Sequence, residues 1–407
     1  MSVFDGILHP DNPDFRYYYP TTDLVTAPDI IFFWVARMVM AGYEYVGKRP
    51  FERVYFTGTV RDMLHRKMSK SLGNSPDALE LIDKFGADGV RCGMLFCSAA
   101  GNDLMFEEKL TEQGRNFSNK IWNAFRLVQG WKEDLVDAPN PERGHAIAMF
   151  EARMNEVLLL VEEDMKDYRL SEALLELYRL FWDDFSSWLL ELVKPRGAQK
   201  MDRDSLNAIE QIFDRLLQHL HPFMPFITEE LWHNLGDVTA RAERSIMQEL
   251  LSEPIAPDSS LLEEFQLLKD LVSGVRALRQ SKGLSLKERL PLYYRGRFAM
   301  TSSGVQLLEM LASVDVKGDV TEIPAKSASF MVGLLECFIP LGDKLDNETE
   351  REKTEKEIAY YEGLRALILK KLENPKFVNK APAAVIEAER KKLADTESKL
   401  MALREQI

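Results

Sequence analysis

The sequence predicts a multidomain, mainly α-helical protein in four parts: an α/β piece, a bundle of long helices, a small α+β unit and an antiparallel coiled-coil hairpin. Three observations carry that reading. At 407 residues the chain exceeds what one core holds, since single cores stop growing at about 250–300 residues. After Lys109 the texture changes from alternating strand-like and helical pieces to long amphipathic helices. The last block, Asn347–Ile407, carries apolar residues spaced seven apart on balanced charge. A hydrophobic content of 45% and a charged content of 29% suit a chain that buries a sizeable interior.

From Arg16 to about Glu107 the grammar is α/β, and RVYFTGTV at 53–60 reads as a buried parallel strand between two helices. The longest apolar stretch, Ile30–Ala41, is interrupted by Arg37 and reads as a buried helix. Amphipathic periodicity then marks RNFSNKIWNAFRLVQGW, FEARMNEVLLLVEEDMKDYRL, ALLELYRLFWDDFSSWLLELVK and SLNAIEQIFDRLLQHLHPFMPFITEELWHNL as bundle helices. Pro-, Gly- and Asp-rich loops separate them at Asp137–Gly144, Pro195–Asp204 and Gly236–Arg244. A break at Pro254–Pro257 leads to a helix ending near Ser281, and PLYYRG with VDVKGDVTEIP reads as the small α+β unit. In the last block Ile358, Tyr361, Ile368 and Leu372 stripe one helix and Ile386, Leu393, Leu400 and Ile407 the next, with a break at Asn374–Pro382 between them. The expected boundaries are therefore 1–112, 113–253, 254–344 and 345–407.

The bulk numbers exclude some classes. Cys92, Cys97 and Cys337 are odd in number and lack CxxC spacing, which argues against a disulfide framework and a thiolate zinc site and favours a reducing, cytoplasmic setting. The start, MSVFDGILHPDNP, has neither a basic nor an apolar leader region, and no segment is long enough to span a bilayer, so no membrane partner is expected. The net charge of −13 means that any RNA contact must come from local basic patches.

The sharpest chemical signal is Lys67-Met68-Ser69-Lys70-Ser71, followed by Leu72-Gly73-Asn74. A given pentapeptide arises by chance on the order of once in 10⁴ chains of this length. It follows a predicted strand and loop and precedes a helix expected to open at Ser75, with Pro76 in its first turn. Two lysines three positions apart on a small-residue loop can fold over a polyphosphate, and the nearby glycine permits close backbone approach. The plain alternative is a solvated surface loop.

KMSKS followed by LGN resembles the second signature of class I aminoacyl-tRNA synthetases. That resemblance implies that residues 1–112 are the C-terminal half of a Rossmann-like catalytic domain and that the bundle binds the anticodon. It also implies that ATP is a substrate, with Mg2+ accompanying it and no zinc. Lys70 and then Lys67 would be the catalytic cations, with Met68, Ser69, Ser71 and Asp29 completing the nucleotide contacts. The segment YYYPTTDLVTAPDIIFFWVARM (17–38) resembles the helix of the branched-aliphatic subclass that lines the adenosine and amino-acid sites, and there Ile30 and Trp34, at i and i+4, would contact the substrate side chain. Without the family, such a pair on an apolar helix would be plain core.

Within the class, RNFSNKIWNAFRLV (115–128), FWDDFSSWLLELVK (181–194) and the end NPKFVNKAPAAVIEAERKKLAD (374–395) are similar to the valine enzymes, whose C-terminal coiled coil the arm resembles. The implied partners are tRNA, valine and ATP, and the implied state is a monomer. Lys370, Lys371, Lys376, Lys380, Arg390, Lys391 and Lys392 cluster around the turn of the arm, the expected basic patch. Arg115, Lys120, Arg126 and Trp122 lie on the first long helix, where tryptophan at helical spacing is usually core. Three positions depart from the family pattern: Ala27 and His65 replace common glycines, and Thr57 stands where a histidine often precedes Gly58. The class's other signature, His-x-Gly-His, is absent, because histidines 9, 65, 145, 219, 221 and 233 lack the spacing. The resemblance is thus to a C-terminal portion, expected to be inactive alone.

Overall fold

The computed structural model describes residues 9, 11–97, 103–236, 238–342, 347–373 and 383–404. They form two compact units, one of residues 1–140 and 150–257, the other of residues 141–149 and 258–407. The protein is mostly helical and multidomain.

In the first unit, α1 (Pro13–Tyr18) is capped by the Asn12 side chain, which accepts from the amides of Asp14 and Phe15. β1 (Thr21–Thr26) follows and pairs in parallel with β2 (Phe51–Phe56), with Thr21 opposite Phe51 and Thr26 opposite Phe56. Between them the chain makes a 3₁₀ turn (Pro28–Ile30), a π-helical stretch (Ile31–Val35) and α2 (Ala36–Val46), closed by left-handed Gly47. The segment 17–38, expected to be one helix, therefore contains a strand. The strand expected at 53–60 starts earlier and breaks at Thr57-Gly58-Thr59, after which β3 (Val60–Arg61) pairs in parallel with β4 (Leu104–Met105).

Ile30–Ala41 is helical but not buried. Only Val35 in it is inaccessible, while Phe32 is 87% and Trp34 56% exposed. Apolar periodicity says that a face needs cover; it cannot say whether the same chain supplies it. Parallel strands normally have both faces covered. Here Val25 of β1 is open, and with Phe33, Met40 and Tyr43 it adds to an apolar surface that no described residue covers.

After the lysine loop come α3 (Ala78–Phe85) and α4 (Ala87–Phe96). The N-cap of α3 is Asp77, accepting from the Leu79 amide at 2.7 Å, so the expected Ser75 cap is displaced and Pro76 falls before the helix. α4 packs closely on α5 (Glu108–Gly130): a Cβ on Gly114 would collide with the Gly89 carbonyl, and one on Gly93 with the Thr111 backbone.

Two short strands, β5 (Leu135–Val136) and β6 (Met201–Asp202), flank α6 (Pro141–Lys166), α7 (Leu170–Arg179), a π-helical run (Leu180–Leu189) and α8 (Leu190–Val193). The long helix expected from Ser205 is two, α9 (Arg203–Leu220) and α10 (Pro225–His233), broken where Pro222 and Pro225 cannot continue the ladder. Phe213 holds the bundle core edge-to-face between Phe181, at 5.7 Å, and Phe185, at 5.3 Å. Two contacts fasten the α/β piece to this bundle. Asp88 of α4 accepts from the amides of Phe226 and Ile227, capping α10, while Arg91 donates to the carbonyls of Pro222 and Phe223. Tyr168 stacks on Tyr55 of β2 and donates to Asp23 of β1, which also takes Arg53 at 2.8 Å.

In the second unit α11 (Ser259–Ser281) lies on a sheet ordered β8-β7-β10-β9. β7 (Leu290–Arg295) runs parallel to β8 (Val314–Asp319) across α12 (Ser302–Ala312), and β9 (Ser327–Val332) and β10 (Leu335–Pro340) form a hairpin antiparallel to β7. Buried Arg279 ties its parts together by donating to the carbonyls of Ser285, Glu288 and Ser313. Last come α13 (Asn347–Leu372) and α14 (Ala383–Arg404). Arg365 pairs with Glu397 and Lys371 with Glu389, so the two helices run in opposite directions. Ile368 and Leu400 of the expected stripes are buried. Residues 374–382, where the turn with Lys376 and Lys380 is expected, lie outside the described residues, as does Ile407.

Candidate nucleotide site

The lysine loop is the return limb of a hairpin that leaves β3. The Met68 amide donates to the Val60 carbonyl at 3.0 Å, and the Asp62 amide to that of Arg66 at 3.0 Å. Asp62 organises the turn. Its carboxylate accepts from the amides of Leu64 and Arg66, from the Arg66 guanidinium, and from the Asn74 side chain at 3.0 Å. The Asn74 amide and the Arg66 guanidinium hold the Asp62 carboxyl well below the ordinary carboxylate range.

Asn74 ties both ends of the motif. Besides Asp62, its amide nitrogen reaches the Lys67 carbonyl at 3.3 Å, and its side-chain oxygen accepts from the Ser69 amide at 2.9 Å. Ser69 caps the 3₁₀ turn Lys70–Leu72 by accepting from the Leu72 amide, and its hydroxyl lies 3.1 Å from that of Ser71. The loop backbone is thereby fixed while the lysine side chains stay exposed.

The geometry joins two of the candidate residues. Lys67 Nζ lies 3.2 Å from Asp29 Oδ2, both in water, so the motif reaches the 3₁₀ turn that begins the apolar helix. Ile30 is in that turn and Trp34 in the π segment, so their i and i+4 relation is not that of an α-helix; Ile30 is half-buried and Trp34 exposed. Lys70, at the head of the 3₁₀ turn, has no ion-pair partner among the described residues. Arg61 fixes the hairpin base by pairing with Asp103 and donating to the His65 carbonyl at 3.1 Å.

Sequence reasoning missed Asp62, Asn74, Arg61 and Asp103 as parts of the site. Asn74 was visible as the residue closing LGN, but its role depends on a hairpin that brings together residues 12 positions apart. His65 adopts φ +60°, the left-handed region that suits the glycine expected there from the resemblance.

Three family models match along the chain. They are described as tRNA synthetases class I (I, L, M and V), over residues 2–107; anticodon-binding domain of tRNA ligase, over 148–294; and valyl tRNA synthetase tRNA binding arm, over 346–407. The valine–tRNA ligase of Bacteroides thetaiotaomicron is 50% identical over 410 residues, covering 100% of this chain and 46% of its own length. The chain belongs to the valine–tRNA ligase family. A more distant member, the valine–tRNA ligase of Chlorobaculum tepidum, is 36% identical over 97% of the chain and 46% of its own length. The chain therefore spans about half the length of the curated valine–tRNA ligases it matches, and corresponds to their C-terminal part.

Proposed function

We propose that this polypeptide is the lysine-loop and tRNA-binding portion of an ATP-dependent valine–tRNA ligase. The observation that carries it is Lys67 and Lys70, projected into solvent from a braced hairpin that meets Asp29 at the head of an uncovered apolar helix. In the reaction, a carboxylate oxygen of valine attacks the α-phosphorus of ATP. The bond from that phosphorus to the bridging oxygen breaks, and pyrophosphate leaves with the electron pair. No protein nucleophile is needed, so the work is positioning and charge stabilisation. The two ammonium groups offset charge building on the departing phosphates, and Lys67 exchanges its water-exposed pairing with Asp29 for the triphosphate. Met68, Ser69 and Ser71 supply backbone and hydroxyl contacts. Mg2+ would arrive on the triphosphate, since among the described residues no three histidine, cysteine or carboxylate groups converge.

Ile30 and Trp34 would line the valine side of the pocket. Residues 1–112 would then be the second half of a Rossmann-like domain, 113–253 the anticodon-stem reader and 254–344 a connecting unit. Residues 345–407 would form a coiled-coil hairpin gripping the tRNA, in a monomeric cytoplasmic enzyme. The test is a chimera in which this chain replaces the matching C-terminal part of the Bacteroides thetaiotaomicron enzyme. Valylation of tRNA should be retained, and Lys70→Ala should abolish adenylate formation while leaving tRNA affinity unchanged. A fully active Lys70→Ala chimera would refute the assignment.

A further inference from the structure

The corner between α6 and α7 is strained where it need not be. Tyr168 has φ +59°, in the left-handed region that glycine enters freely and a bulky side chain resists. The shape of the corner does not depend on the Tyr168 ring. The Tyr168 amide donates to the Met165 carbonyl at 3.2 Å and the Arg169 amide to that of Asp164 at 2.8 Å, while the Arg169 guanidinium pairs with the Asp164 carboxylate. Glycine would turn this corner without strain, so what a tyrosine adds is the contact its ring makes.

That ring lies on the parallel pair β1–β2. It stacks on Tyr55 of β2, with centroids 5.4 Å apart and planes inclined by 25°, and its hydroxyl donates to Asp23 of β1. The Arg53 guanidinium sits 5.5 Å from its centroid and reaches Asp23 across the pair at 2.8 Å. Open α/β sheets bind ligands at the carboxyl ends of their parallel strands. Here β1 runs out toward the turn Pro28–Ile30, which carries Asp29 and Ile30, and β2 into Thr57-Gly58-Thr59, after which β3 starts the lysine hairpin.

We infer that Tyr168 is a positioning residue for adenylate formation. Clasped by Asp23, Tyr55 and Arg53, it fixes the β1–β2 pair, and with it the turn of Asp29 and Ile30, in register with the lysine hairpin. It touches no reacting atom. The inference rests on the valine–tRNA ligase reading above and deepens it by naming a residue outside the proposed pocket on which the pocket's geometry depends. A ring stack with a hydrogen bond at its end fixes direction as well as distance. The Lys67–Asp29 pair that also joins strand pair and hairpin is open to water, holds weakly, and in the proposed reaction is given up to the triphosphate. The carboxylate of valine and the α-phosphorus must be closely aligned, and a misplacement of about 1 Å can cost on the order of 100-fold in rate.

The test uses the chimera of this chain with the N-terminal part of the Bacteroides thetaiotaomicron enzyme, carrying Tyr168→Gly, Tyr168→Phe or Asp23→Ala. Valine-dependent ATP–pyrophosphate exchange, tRNA-Val affinity and melting temperature are measured for each. Tyr168→Gly should lower kcat for exchange about tenfold or more with KM for ATP and valine nearly unchanged, because each half of the site still grips its own ligand but the two are misaligned. Affinity for tRNA and melting temperature should match those of the unsubstituted chimera, since relief of the left-handed strain offsets the lost contacts. Tyr168→Phe keeps the stack and the backbone, and should lose about threefold in kcat with the hydrogen bond. Adding Asp23→Ala to it should cost no more than Asp23→Ala alone, because both remove that bond. If the Tyr168 variants exchange at the unsubstituted rate while Lys70→Ala abolishes exchange, the clasp is wrong and the enzyme reading stands. A rise in KM at unchanged kcat, or losses from Tyr168→Phe and Asp23→Ala that multiply, would overturn the clasp in the same way. If the unsubstituted chimera does not exchange, or Lys70→Ala leaves it active, the enzyme reading fails, and this inference with it.

Discussion

At the scale of single residues, the lysine loop proposed to carry the chemistry is held by groups to which no chemistry is assigned. Asp62 and Asn74 make six of the hairpin's side-chain hydrogen bonds between them, including those that fix the Lys67 carbonyl and the Ser69 amide. His65 sits at the tip with its backbone left-handed. A β-branched residue tolerates that conformation poorly, at a cost of about 1–2 kcal/mol, and glycine tolerates it freely. Chemical denaturation should therefore find His65→Gly no less stable than the native chain and His65→Val less stable by about that amount; equal midpoints for the two would show that the turn is not constrained. The lysine motif itself was legible because its residues are contiguous. Asp62 and Asn74 were not, because their partnership exists only once the chain has reversed between them.

At the scale of elements, close approach and burial decide. Gly89, Gly93 and Gly114 let α4 and α5 touch backbone to backbone. Gly114→Ala should force these helices apart and cost about 1–3 kcal/mol by thermal or chemical melting, whereas Gly144→Ala, where a Cβ meets open space, should cost nothing of that kind. In the bundle, burial and then Arg215 depress the His219 imidazole from an ordinary 6.5 to about 4. The unfolded chain takes up that proton more readily than the folded one. Stability from the neutral imidazole is therefore complete above about pH 6.5 and drains away as pH falls toward 4. His219→Gln should flatten the acid limb of a melting-temperature profile between those limits, and an unchanged limb would mean that other groups set it. The long bundle helices were readable because their apolar spacing runs over many turns. β1, with its sequence Thr-Thr-Asp-Leu-Val-Thr, was not, since a strand with an open face shows little apolar signal. The break between α9 and α10 needed Pro222 and Pro225 to be weighed above a continuous periodicity.

At the scale of the whole molecule, the two-stranded parallel sheet and the helix beside it expose Val25, Phe32, Phe33, Trp34, Met40 and Tyr43 together. Periodicity read Ile30–Ala41 as interior because in most chains such a face is covered by the same polypeptide. Here the described residues leave it open, and Lys67 reaches Asp29 in the turn at its head. The same chain aligns along its length with relatives of which it covers 46%. An adenylation site needs ATP gripped from more than one side, and in the proposed reading Lys67, Lys70 and Asp29 provide one side. The direct test is valine-dependent ATP–pyrophosphate exchange by this polypeptide alone. The account predicts no exchange above background at saturating ATP and valine; robust exchange that vanishes with Lys70→Ala would show that the chain builds a complete site and would contradict it.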